Sequence, residues 1–123
     1  MKTRNLKELS VEQLVALFEN LAIAQDRAEL EDRIALYNKL YDRMQLVRAA
    51  LKDREGDQRR ALIALHLHPN AQVRLMSASS TLALAPSESQ MVLKELAGSR
   101  IFPQAANAGF LLEGLASGQY KPS

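Results

Sequence analysis

Residues 57–84 read DQRRALIALHLHPNAQVRLMSASSTLAL, a pattern of two short helices around one turn. Ala61, Leu62 and Leu65 recur at helical spacing before Pro69-Asn70, and Leu75, Ala78 and Leu82 do so after it. The pattern predicts a helix over about 58–67 capped by Asp57, a turn at 69–70, and a second helix over about 71–84. That second helix is unusual. Val73, Ser77, Ser80 and Leu84, half a turn from the leucine row, are small or apolar too. A helix clad on opposite sides is predicted to be sandwiched between neighbours, which a one-sided bundle helix does not need.

Outward from this hairpin the chain stays helical, and no run of alternating β-branched residues competes. Ser10-Val11-Glu12-Gln13 is a capping box with Leu9 and Leu14 at the staple positions. It opens a helix through Leu14, Val15, Phe18, Leu21 and Ala22 to about Gln25. The longest helix is predicted from about Glu29 to Arg54. Leu30, Ile34, Tyr37, Tyr41 and Met44 form its core stripe, widened by Leu36, Leu40, Val47 and Leu51. Acidic Glu29, Glu31 and Asp32 suit its start, Lys52 and Arg54 its end, and Gly56 a left-handed stop. Beyond 84, Pro86-Ser87-Glu88-Ser89-Gln90 reads as a second capping box, opening a helix to Ala97. Pro103 suits the first turn of a last helix carrying Ala105, Ala106, Gly109, Phe110, Leu112 and Leu115. Residues 117–123 read as a frayed tail.

Sliding the chain by 31 residues sets 61–84 against 92–115 and pairs Leu62 with Leu93, Leu65 with Leu96, Ala78 with Gly109 and Leu84 with Leu115. A repeat of this length implies stacked supersecondary units. The run His68-Pro69-Asn70-Ala71-Gln72-Val73-Arg74, with Ala78 and Leu82 after it, resembles a HEAT-like repeat. The second copy departs from it, with Gln104-Ala105 where Val-Arg would stand. More broadly, Leu-Ser-Val-Glu-Gln-Leu at 9–14, Gly-Asp-Gln-Arg-Arg-Ala-Leu at 56–62, the 68–74 run and Phe-Pro-Gln-Ala at 102–105 resemble a bacterial family. That family is described only as a domain of unknown function with HEAT-like helices. The resemblance spans most of the chain and implies no activity. The expected fold is all-α, a short HEAT-like α–α superhelix of about six antiparallel helices in a right-handed stack. It is expected as a single domain over 1–123, with a long helix pair at 9–54, a HEAT-like unit at 57–84 and a degenerate one at 87–116.

Composition bounds the function. With 47% apolar and 24% charged residues the chain can bury a core unaided. With no cysteine it has neither disulfides nor a thiolate. The first residues lack the apolar run of a signal peptide, and charges interrupt every candidate membrane span, so a cytoplasmic protein with no membrane partner is expected. Net charge is only +2, with ten residues of each sign in 1–56 and six basic against four acidic in 57–123. That is thin for a nucleic-acid footprint, which needs clustering on one face.

The candidate chemistry is sparse. His66 and His68, two apart, point to different faces and cannot chelate together; they suit helix-end hydrogen bonds. Glu29, Glu31 and Asp32, or Asp26 with Asp42, read as solvated charge. Ser77, Ser79, Ser80 and Thr81 have no base at motif spacing and suit close helix packing. No catalytic residue, metal ligand, phosphate loop or cofactor site is predicted. Arg59, Arg60 and Arg74 form the one set that could bind an anion or acidic partner on a shared rim, although a HEAT-like unit implies that Arg74 bonds neighbouring turns. Tyr37 and Tyr41, one turn apart, are the candidate interface, with a core edge as the plainer use. The expected function is a non-enzymatic module that binds an unidentified protein. The alternatives are a nucleic-acid backbone binder, resembling HEAT-like DNA alkylation-repair glycosylases but lacking tryptophan, and a homodimer pairing across a two-fold axis.

Overall fold

The computed structural model describes residues 5–123. Among them there is no strand: the elements are five α-helices, one long 3-10 helix and a short 3-10 turn. The fold is therefore all-α. Contacts divide it into two compact units, 1–61 and 62–123.

The first unit opens with the 3-10 turn Leu6–Glu8 and then α1, Val11–Leu30. The capping box forms as the sequence predicts: the Gln13 amide donates to Ser10 Oγ at 3.1 Å, and the Ser10 amide donates to Gln13 Oε1 at 2.9 Å. Leu14, Phe18, Leu21, Ala22, Gln25 and Ala28 are its buried residues. The helix runs five residues past its expected end. It stops in a Schellman motif, where Arg33 N–H reaches the Ala28 carbonyl at 2.8 Å and Asp32 N–H the Glu29 carbonyl at 3.1 Å. Asp32 takes the left-handed position usually given to glycine, at φ 58°. Glu29 and Leu30 thus close α1 and do not open α2, which spans Ile34–Lys52. The α2 core row is correspondingly narrower than the predicted stripe. Leu40, Met44, Val47 and Leu51 are buried, whereas Leu30, Ile34 and Tyr41 are exposed.

After α2, Gly56 and Asp57 are both left-handed, at φ 78° and 51°. They lead into the 3-10 helix Gln58–Leu67, where an α-helix is expected from the sequence. A 3-10 helix has three residues per turn, so residues three apart lie on one line. Arg59, Leu62 and Leu65 share one such line and are buried, His66 is buried beside it, and Ala61 sits at half-burial. This is the physical reason that Arg59 is inside.

In the second unit α3 is Ala71–Ser80, α4 is Pro86–Ala97 and α5 is Gln104–Ser117. Asn70 caps α3, its Oδ1 accepting from Gln72 N–H at 2.9 Å and Val73 N–H at 3.2 Å. Arg74 reaches back to the His68 and Pro69 carbonyls at 3.0 and 3.3 Å. The 68–74 run therefore closes its own turn, where the resemblance to HEAT-like units implies bonds from Arg74 to neighbouring turns. Helix α3 is buried on opposite sides: Leu75 and Ala78 on one, Val73, Ser77 and Ser80 on the other. Leu75, Ala78, Leu82, Leu93, Leu96 and Ala108 form the core, with Leu111, Leu112, Leu115 and Tyr120 packed against it. Three local expectations change. Helix α3 gives way to turns at Thr81. The N-cap of α4 is Ala85, with Pro86 in the first turn, so no Ser87–Gln90 capping box forms. The tail is held, not frayed: Gly118 turns left-handed at φ 80°, and Tyr120 N–H donates to the Gly114 carbonyl at 3.0 Å.

Candidate functional site

The structure gives each of the three predicted arginines a different environment. Arg59 is 2% exposed, and its guanidinium meets Asp57 in a two-point contact, Nε to Oδ1 at 2.8 Å and Nη2 to Oδ2 at 2.6 Å. The pair is mutually stabilising: the hydrogen bond from Arg59 holds the Asp57 carboxyl below its ordinary value, and the same bond raises the guanidinium pKa. Arg59 Nη1 has no hydrogen-bond partner among the described residues. Arg60 is exposed. Arg74 is half-buried and bonded to its turn. Of the two tyrosines, Tyr41 is 40% exposed and Tyr37 half-buried.

The remaining polar candidates take internal partners. His66 is buried, and its Nε2 lies 3.0 Å from Thr81 Oγ1. Thr81 Oγ1 in turn donates to the Ser77 carbonyl at 2.9 Å and lies 2.8 Å from Ser89 Oγ. With its proton on Ser77, Thr81 accepts from the His66 N–H and the Ser89 hydroxyl, which satisfies a fully buried network. Burial pushes the imidazole pKa down, opposed by the Ser77 carbonyl and by Glu88. Ser77 and Ser79 bond helix carbonyls at positions 74 and 76. His68 Nδ1 accepts from Asn70 N–H at 3.0 Å. Glu31 pairs with Arg27 and Arg33 at 3.7 and 3.8 Å on the surface. No group of three or more acidic, histidine or cysteine side chains placed to hold a metal occurs among the described residues.

What the sequence did not disclose is a groove in the first unit. It consists of two adjoining depressions that share Leu6 and Leu46. One, about 310 Å³, is lined by Leu6, Leu17, Leu21, Arg43, Leu46 and Val47. The other, about 570 Å³, runs on past Ala49 and Ala50 to Lys7, Asp53 and Arg54. Leu46 projects between them at 62% exposure, a large apolar side chain off the buried row of its own helix. Arg54 builds the wall. Its Nη2 donates to the Leu6, Lys7 and Leu9 carbonyls at 3.2, 3.4 and 2.5 Å, pinning the 3-10 turn beside the end of α2. A hint was present in the sequence, since Leu46 is apolar outside the 40/44/47/51 row, but the Leu6 wall is not local to it.

Residues 12–116 match the family model described as "Domain of unknown function (DUF2019)". The crystal structure of the protein RPA1889 from Rhodopseudomonas palustris CGA009 is similar along its length. It is 40% identical, the match covers 98% of this chain and 100% of that one, and the TM-score is 0.95. No curated protein matches. No helix among the described residues is long and apolar enough to cross a membrane.

Proposed function

We propose that this chain, which belongs to the DUF2019 family of domains of unknown function, is a non-enzymatic protein-binding module that takes a helical segment of another protein into the groove beside α2. One observation carries the reading: the groove is apolar, open and built around an exposed leucine. Leaving Leu46 and its neighbours in water costs about 25 cal/mol per Å² of apolar surface, which a bound helix recovers. Helix-in-groove recognition uses this kind of surface, with side chains of the guest filling depressions on the host. A cytoplasmic location belongs to the same reading. The nucleic-acid alternative draws less support, because Arg59 is buried in its pair with Asp57 and Arg74 is spent on its turn, leaving Arg60 as the exposed cation of the set.

The test is photo-crosslinking in the native cell, with Leu46→p-benzoylphenylalanine compared with the same change at Met91, which is also exposed but on α4. The expected result is a discrete protein adduct from position 46, absent from position 91 and lost when Arg43→Glu is added. A second copy of the chain in the adduct would identify a homodimer as the occupant. No position-specific protein adduct from position 46 would overturn the reading.

A further inference from the structure

We infer that the occupant of the groove is an acidic amphipathic helix presenting two apolar anchors one turn apart. This rests on the reading above and goes further in fixing the guest's charge and spacing.

The spacing follows from the two depressions. The α2 residues lining the first are Arg43, Leu46 and Val47, centred near position 45. Those lining the second are Leu46, Ala49 and Ala50, centred near position 48, and Asp53 and Arg54 beyond the helix end move the centre to near position 50. At 1.5 Å rise per residue the centres lie about 4.5 Å apart over the α2 residues alone, and about 7.5 Å apart with Asp53 and Arg54 counted. A guest helix lying along α2 must place one anchor on each side of the Leu46 ridge. Side chains on one face of a helix repeat at i+3, i+4 and i+7, which are about 4.5, 6 and 10.5 Å apart along the axis. The i, i+4 pair, at about 6 Å, falls in the middle of that range, and i+7 lies outside it.

The charge follows from the rim. Residues 1–56 hold ten cations and ten anions, so an unbiased surface there would be neutral. The groove is not: Lys7, Arg43 and Arg54 line it against Asp53 alone. Arg43 is exposed and is the charged residue lining the first depression, whereas the second has exposed Lys7 and Asp53 with Arg54 turned to the backbone carbonyls, so the rim carries an excess of positive charge. A guest with carboxylates beside its anchors meets this rim favourably, and a basic guest is repelled, since rim charges set partner choice and encounter rate.

The experiment is selection from a displayed library of amphipathic helices on the full chain, followed by anisotropy titration of the enriched peptides. The expected peptides are net acidic, carry leucine-like residues at i and i+4, and lose binding on Leu46→Glu. Arg43→Glu should weaken them roughly tenfold and flatten the salt dependence. Both substitutions are at exposed positions, and unchanged circular dichroism would show that the fold is kept. Enriched peptides that need Leu46 but are neutral or basic would overturn the acidic guest while leaving the groove as a docking face. Peptides indifferent to Leu46→Glu, or no enrichment over that variant, would overturn both.

Discussion

Replacing the Thr81 hydroxyl by a methyl group, Thr81→Val, tests whether the buried network in the second unit holds the 3-10 helix end, α3 and α4 in register. Thr81 is 0% exposed, and its Oγ1 has four polar neighbours between 2.8 and 3.3 Å: His66 Nε2, Ser89 Oγ and the carbonyls of Ser77 and Ala78. Valine keeps the shape but strands the His66 N–H and the Ser89 hydroxyl, of which the imidazole retains the Ser77 carbonyl. Two lost bonds at about 1 kcal/mol each, plus a donor left partly unsatisfied, give about 2–4 kcal/mol. With a urea m-value near 2 kcal/mol/M, the midpoint should fall by about 1–2 M with m unchanged. Acidity provides an independent arm. Because burial favours neutral His66 in the folded state, the unfolded chain binds more protons as pH falls. This contribution is therefore complete above the ordinary histidine value of about 6.5 and is lost as pH drops below it. His66→Gln should flatten that loss between pH 7 and 5. A midpoint shift below about 0.2 M for Thr81→Val at pH 8, or wild-type stability as flat as that of His66→Gln, would show that the network does not hold these elements together.

Asp57→Asn keeps a residue that tolerates the left-handed backbone but leaves the Arg59 guanidinium buried without its counter-charge, so chemical denaturation should show a loss of about 3 kcal/mol. Leu93→Ala empties a fully buried position in the core of the second unit and should cost about 2–5 kcal/mol by thermal unfolding, against about 0.5 kcal/mol or less for Met91→Ala on the exposed side of the same helix. Tyr120→Ala should cost about 1–2 kcal/mol and speed hydrogen exchange in the last turn of α5, where a frayed tail would leave both unchanged.

How much of this was legible in the sequence depended on whether a local pattern had one physical reading. The Ser10–Gln13 box, the Asn70 turn and the double-sided α3 each did, and each stands in the structure. The α1–α2 boundary did not. Residues 25–55 contain neither glycine nor proline, so continuous periodicity concealed a stop made by Asp32, a residue that reaches the left-handed region less readily than glycine. The 3-10 helix was hidden differently. Over ten residues, Leu62 and Leu65 fit a period of 3.0 as well as 3.6, and only the choice of period decides whether Arg59 lies on the rim or in the buried row. That choice also decided the predicted arginine patch.

The groove was beyond any local pattern because its wall comes from the other end of the unit. Arg54 bonds carbonyls 45 to 48 residues away in sequence, so neither the Leu6 turn nor the α2 end announces the surface they make together. The two arginines on either side of Gly56 thus divide the work. Arg59 turns inward and joins Asp57, which the backbone holds at φ 51°; Arg54 turns to the N-terminal turn and leaves Leu46 standing between two hollows. A cation spent on backbone carbonyls cannot be the group a partner reads, yet removing it would collapse the wall the partner needs. Binding lost with Arg54→Ala would therefore say only that the groove must exist. Binding lost with Leu46→Glu, at a position 62% exposed where stability has little stake, locates the contact itself, and Arg43→Glu then reports its charge.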